Sequence, residues 1–272
     1  MRAAFSTLGC PDWSLEAALD HGAAYGYGGV ELRLLDGRPL EAPSPPAVQA
    51  RVRSALASSG MTLVGLGSTI RLAEGEPAAL SRQLAAYCEL AAEWSAPFVR
   101  VFGGTLDTAQ ARPVALGRIA TALELALHAT RQLGVVIAIE THDDFSTAGR
   151  LAELLALVPD AGVGAIWDLM HTWRMGERPE QAWALLGPRV VDVHVKDAHR
   201  LATGQWRQVL LGAGEIDVMA CLRQLRTGCY SGWLVTEWEK AGQPHLEEPE
   251  VALPQHLQVM RDLWHGSEPA AP

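Results

Sequence analysis

Residues 190–199 read VVDVHVKDAH, in which Val191, Val193 and Val195 alternate with Asp192, His194 and Lys196. Successive side chains of a strand point to opposite faces, so the three polar groups share one face and the valines the other. The chain around this run is apolar and rich in helix formers. The polar face therefore looks either at water or at an interior that does chemistry.

Seven further runs share this β-rich character: AAFSTL (3–8), GVELRL (29–34), MTLVGL (61–66), FVRVFG (98–103), VVIAIET (135–141), GVGAIWD (162–168) and WLVTEWE (233–239). Between them lie Ala/Leu-rich stretches with helical spacing, such as SLEAALDHGAAY, ALSRQLAAYCELAAEW and ALGRIATALELALHATRQLG. Gly134 sits where a helix stops before the next strand, as Gly60 does earlier. Alternating β and α units imply an α/β fold with a parallel sheet. Eight of them imply a closed (β/α)8 TIM barrel, here over residues 1–265, with a flexible tail at 266–272. The rival is a doubly wound open sheet, but no GxGxxG follows the first strand.

In a barrel, alternate strand residues face the interior and the others pack under the helices. With His194 inward, Val191, Val193 and Val195 face the helices, which suits them. The same phase puts Glu140 inward with Val135, Ile137 and Ile139 outward, and Asp168 inward with Val163, Ala165 and Trp167 outward. It puts Glu237 inward with Leu234, Thr236 and Trp238 outward, and gives Glu31 and Arg100 the same apolar flanks. Most of these ionisable groups lie near the C-terminal ends of their strands, where active sites of this architecture sit.

Composition removes several classes of function. The chain has 272 residues, 49% apolar and 19% charged, which suffices for a sizeable core. Its 22 Lys+Arg against 31 Asp+Glu give a formal charge of −9, and no basic cluster offsets it, so a nucleic-acid partner is not expected. The four cysteines, Cys10, Cys88, Cys221 and Cys229, form no CxxC pair. A disulfide scaffold or thiolate zinc site is not expected, and a reducing cytoplasm fits. No apolar run reaches the roughly 18 residues that a membrane span needs, so no membrane partner is expected.

Glu140, Asp168, His194 and Glu237 end strands five to eight. Unpaired buried carboxylates repel and shift their pKa upward. One divalent cation resolves this, and an O3N donor set without thiolate favours Mn2+ or Mg2+, with Zn2+, Co2+ or Fe2+ as alternatives. The plainer reading pairs each carboxylate with Arg33, Arg100 or Lys196. Four matching depths on successive strands favour the metal. His171, three residues after Asp168 in WDLMHTW, falls in the loop over the site, where it contacts substrate or is a loop histidine held by a carbonyl. His142 lies beyond Glu140 on the same face and is a weaker candidate to orient a ligand or a substrate hydroxyl. Glu31 and Arg100 are candidate substrate contacts, anchors for an anionic group, or interior salt bridges. Lys196 meets the substrate or pairs with Asp192. Trp13, Trp173 and Phe102 wall the pocket or serve as packing. His21, His128, His199, His245, His256 and His265 receive no chemistry.

The segments TLGCPDWSLEAAL, GYGGVELR, IAIETHDDF, DLMH, VHVKD and WLVTEWE, taken in order, resemble the xylose-isomerase-like TIM-barrel superfamily. More narrowly they resemble its sugar-phosphate isomerase/epimerase family, which includes inosose dehydratases, hydroxypyruvate isomerases and ketose 3-epimerases. The resemblance implies that Glu140, Asp168, His194 and Glu237 bind one divalent ion and that His171 contacts substrate oxygens. It also implies that Glu140 and Glu237 exchange protons with a substrate carbon from opposite faces. The related endonuclease IV binds three zinc ions, but here the strand ends GLGST and FGGT lack its histidines, and the HxD partner after strand seven is missing. A trinuclear site and DNA repair are therefore not expected.

The expected function is a metal-dependent isomerase or epimerase acting on a small sugar, ketose or polyol-derived ketone. It works by proton abstraction and a metal-stabilised enediolate. The alternatives are an inosose-type dehydratase on the same site and a non-catalytic sugar-binding barrel. A carbohydrate is the expected partner; the sequence does not encode an oligomeric state legibly, and the resemblance allows a homo-oligomer.

Overall fold

The computed structural model describes residues 1–266, so the tail expected from 266 onward lies, past Gly266, outside the described residues. The period-two runs form eight parallel strands. These are β1 (Arg2–Ser6), β2 (Gly29–Leu32), β3 (Thr62–Arg71), β4 (Phe98–Phe102), β5 (Val136–Glu140), β6 (Val163–Asp168), β7 (Val190–Val195) and β8 (Trp233–Thr236). Each pairs with the next and β8 pairs with β1, closing the barrel and excluding the open sheet. The 3.6-period runs form α1 (Leu15–Tyr25), α2 (Pro46–Ser59), α3 (Pro77–Glu93), α4 (Arg112–Thr130), α5 (Ala148–Leu157), α6 (Leu169–Arg174), α7 (Pro179–Leu186), α8 (Val218–Thr227) and α9 (Pro249–His265). Gly60 ends α2 and Gly134 ends the turn after α4, with φ of 68° and 67°, a left-handed conformation that costs glycine little. Among the described residues no helix is long and apolar enough to cross a membrane.

Two apolar cushions lie apart from the main core: Ala4, Val64 and Val235, and Phe98, Ala138 and Ile166. They share the inward phase with Glu31, Arg100, Glu140, Asp168 and Glu237 one or two steps further along the strands. The outward set, including Ile137, Ile139, Ala165, Trp167, Val193 and Val195, is fully buried in the core shared with the helices.

One valine departs from the expected phase. Ala165 pairs with Val190 but Ile166 pairs with Asp192, so Val191 is the extra residue of a bulge. It packs with Phe98, Ala138 and Ile166 on the inside, not with Val193 and Val195 outside. Strand β3 also runs on to Arg71, past the apolar run that ended at Leu66, with a register irregularity against β4 between Gly67 and Arg71.

After β7 the chain does not pass directly into a helix. A hairpin, Asp197–Arg200 against Trp206–Val209, intervenes before α8. The Asp197 carboxylate accepts backbone N–H groups from Ala198, Gly212, Gly214 and Ile216 at 2.8–3.1 Å. This fastens the excursion, which in turn delivers Gln208. The Gln208 side chain donates to Glu237 O at 2.6 Å and accepts from Glu239 N at 2.9 Å, fixing the backbone just beyond β8.

Asp197→Ala strands four backbone donors and is expected to cost about 3 kcal/mol, measured by urea unfolding; a loss under about 0.5 kcal/mol would contradict the staple. A second prediction concerns His256, buried in α9 against Trp238, with Nδ1 2.7 Å from Ala252 O. Burial lowers its pKa from 6.5 to about 4, so between those values the unfolded chain takes up a proton that the folded chain refuses. Stability therefore falls as pH drops from 6.5 to 4. The native chain should lose about 3 kcal/mol more than His256→Leu across that window, and parallel curves would refute the assignment.

Candidate metal centre

The four expected ligands converge. Glu140 ends β5, Asp168 ends β6, His194 lies one residue before the end of β7, and Glu237 directly follows β8, held in register by its N–H to Val195 O at 3.2 Å. One donor atom from each of the four lies within 4.8 Å of the others. His194 Nδ1 stands 3.5 Å from Glu140 Oε1 and 3.4 Å from Glu237 Oε1. All four residues are buried, yet Glu140 Oε2, Asp168 Oδ2 and His194 Nδ1 make no hydrogen bond. Buried polar atoms are normally satisfied, so unspent donor atoms aimed at one point fit a cation. Hard oxygens with one imidazole suit a divalent ion.

The opposite ring nitrogen of His194 is occupied differently. Nε2 lies 3.1 Å from Glu31 Oε2 and 3.7 Å from Asp192 Oδ2, and Ser6 Oγ donates to Glu31 Oε1 at 3.0 Å. An Nε2–H donated to Glu31 leaves the Nδ1 lone pair facing the carboxylates. Glu31, Asp192 and His194 form a second close set of donors that shares this histidine. Glu31, a candidate substrate contact by sequence, thus sits fully buried on the far side of His194 from Glu140 and Glu237.

Lys196 pairs with Asp168, Glu237 and Glu239 rather than with Asp192. Its Nζ donates to Glu237 Oε2 at 2.6 Å and to Glu239 Oε1 at 2.7 Å. It also lies 2.9 Å from Asp168 Oδ2, an ion pair too poorly aligned for a hydrogen bond, so that oxygen keeps its acceptor capacity. Burial opposes the Lys196 charge, but these carboxylates hold its pKa well above the ordinary value. Burial raises Asp168 to about 6, with Lys196 opposing and Glu237 and Glu140 adding to the rise. For Glu237, burial is outweighed by Lys196 and His194, which hold it well below the usual carboxylate range. Glu140 is lowered too: burial and Glu237 push it up, and His194 and Arg100 overcome them. His194 itself is raised well above 6.5 despite burial, by Glu237, Glu31 and Glu140.

His171 lies in α6, not in a loop, because Asp168 caps that helix: its Oδ1 accepts the His171 N–H at 2.9 Å. The buried imidazole leaves both ring nitrogens without a hydrogen bond, 3.7 Å from Asp168 Oδ2 at the nearer one. Burial, then Lys196 and His142, keep it neutral, with a pKa well below 6.5. His142 packs edge-on against it at 4.6 Å and against Phe102 at 4.7 Å. Arg100 stacks on Phe102 at 4.1 Å, so Phe102 does line the site. Trp173 packs on the main core, and Trp13 stacks on His21 at 4.4 Å.

One site group, Glu239, is absent from the sequence-based candidates, and Arg33 appears among them only as a pairing partner for a carboxylate. Glu239 is the third partner of Lys196, and Arg33 lines the same cavity as Arg100, Glu140 and Glu237. Each lies two residues beyond a residue that was chosen, Glu237 and Glu31, so the period-two rule carried one step further finds both.

The sequence model of the family described as xylose isomerase-like TIM barrel matches residues 19–263. No curated protein matches the chain. Among solved structures, the IOLI protein with a bound zinc atom is 16% identical, with a TM-score of 0.81 over 97% of this chain and 98% of that one. The probable 3-DHS dehydratase AsbF of Bacillus anthracis is 15% identical, with a TM-score of 0.77 over 96% and 99%. D-allulose 3-epimerase of Methylomonas sp. is 14% identical, with a TM-score of 0.75 over 97% and 98%. At such identities the structural likeness speaks for the barrel, while the sequence match over residues 19–263 assigns the lineage: the chain belongs to the xylose isomerase-like TIM barrel family.

Proposed function

We propose that the chain is a divalent-metal-dependent isomerase or epimerase of a small hydroxyketone, a sugar or polyol derivative, working by proton transfer at the carbon beside the carbonyl. The observation that carries this reading is the pair Glu140 and Glu237, which reach His194 Nδ1 from the ends of β5 and β8 at 3.5 and 3.4 Å, the second oxygen of Glu140 unpartnered and that of Glu237 held by Lys196. A cation held by Glu140, Asp168, His194 and Glu237 would polarise the substrate carbonyl and acidify the neighbouring C–H.

The residues divide the remaining work. Glu140 Oε2 accepts no hydrogen bond and is the oxygen free to take a proton. Glu237 Oε2 is held charged and oriented by Lys196 Nζ at 2.6 Å, so Glu237 takes up a proton from solvent before it delivers one to the substrate carbon, while Glu140 releases its proton to solvent. Neutral His171 offers an unspent ring nitrogen to a substrate hydroxyl. His142 and Arg100 line the cavity beside Glu140 and complete the substrate contacts. Delivery to the same carbon epimerises; delivery to its neighbour isomerises. The fold neighbours include an epimerase and a probable dehydratase, which supports this range of chemistry without choosing within it.

The test is solvent-deuterium exchange into a panel of hydroxyketones by metal-replete protein, read by mass spectrometry and NMR. Deuterium is expected at the carbon beside the carbonyl. Water loss in place of exchange would instead support the dehydratase. Glu237→Gln is expected to lower exchange at least about a thousandfold. A metal-replete Glu237→Gln protein with full activity would overturn this division of labour.

A further inference from the structure

Arg33 and Arg100 are not used by the proton transfer just described. Both line a cavity of about 160 Å³ together with Phe102, Glu140, Lys196 and Glu237. Arg100 is only 1% exposed, yet its Nε and Nη1 make no hydrogen bond. Its nearest carboxylate oxygen, Glu140 Oε2, lies 3.5 Å from Nε, too far to satisfy it. Half-buried Arg33 likewise leaves a buried Nη1 without a partner. Guanidinium donors withdrawn from water and left unpaired are costly, and the cost is repaid only by an acceptor that arrives.

The two side chains are placed as a pair. Both pack on Gly67, where an added Cβ would stand 2.7 Å from Arg33 Cδ and 3.1 Å from Arg100 Nη2. Any larger residue there would push them apart. The Phe102 ring, 4.1 Å from Arg100 Cζ, fixes the plane of that guanidinium. Burial, then the charge of Arg100, lowers the Arg33 pKa, with Glu31 and Glu237 opposing, which places the two guanidiniums near one another. Lys196 cannot serve as the anchor, because Asp168, Glu237 and Glu239 already surround its ammonium.

We infer that the substrate carries a carboxylate, which Arg33 and Arg100 clamp while its hydroxyketone end faces Glu140 and Glu237. The class is therefore a short sugar acid or keto acid rather than a neutral sugar. This inference rests on the cavity being the substrate site, as proposed above. Neutral hydroxyls would satisfy the donors one at a time but would not bridge the two guanidiniums. A planar carboxylate does both, matching the arginine fork with two parallel bonds.

The test compares D-threonate with D-threitol, the same carbon chain with and without the carboxylate, by calorimetric titration of metal-replete protein. Threonate is expected to bind at least about tenfold more tightly. Arg33→Gln, at a half-exposed position, is expected to shrink that ratio about tenfold, with folding checked by circular dichroism. Equal affinities, absent threonate binding, or a ratio that survives in Arg33→Gln would each overturn the inference. The last would mean that the carboxylate binds the cation instead. Inorganic phosphate binding more tightly than threonate would overturn the choice of carboxylate. Threonate preference without deuterium exchange in any ketone would overturn the proposed reaction alone. Exchange confined to neutral ketoses, with no threonate preference, would overturn the clamp alone.

Discussion

Glu140, Asp168 and Glu237 bring three carboxylates to one point inside a barrel, and everything around them answers to that charge. Desolvated like charges repel strongly, and only positive partners make the arrangement tenable. The chain supplies three of its own, one of them Arg100, whose Nε lies 3.5 Å from Glu140 Oε2. Lys196 pairs with Asp168 and Glu237 from one side, and His194, driven toward its charged form, lies between Glu140 and Glu237. Even so, Glu140 Oε2 and Asp168 Oδ2 keep unspent lone pairs, and burial still raises Asp168 to about 6. A divalent ion would take the place of the proton on His194 Nδ1 and spend those lone pairs.

The barrel holds this charge by layering. Apolar groups such as Ala4, Val64, Val235, Phe98, Ala138 and Ile166 fill interior positions earlier on the strands. Next come Ser6, Glu31 and Asp192, which meet His194 at its Nε2 edge. Burial pushes Asp192 well above the usual carboxylate pKa, only partly opposed by His194. Glu140, Asp168 and Glu237 come last, where the strands open toward the loops. Gln208, tied to the chain by the Asp197 staple, then fixes the backbone on both sides of Trp238.

Much of this could be read from period two alone, because an ionisable residue flanked by valines on a strand has a forced choice of face. Glu140, Asp168, His194 and Glu237 each followed from that choice, as did closure from eight alternating units. What escaped the reading depends on contacts between distant segments. The bulge at Val191 is set by pairing with β6, which no local pattern encodes. His171 reads as a loop residue in the sequence because a six-residue helix carries too few turns to show a period, although Asp168 is a good cap. The preference of Lys196 for Asp168, Glu237 and Glu239 over Asp192 follows from its direction toward the mouth of the barrel, past the plane of His194.

The central claim is that these four side chains hold a single divalent ion. Its most direct test is metal stoichiometry, by mass spectrometry of protein stripped with chelator, reloaded and freed of excess ion. One ion per chain is expected, lost from Asp168→Ala and His194→Ala while both variants keep the native circular dichroism spectrum. Protein that takes up no ion, or that still holds one in both variants, would contradict it.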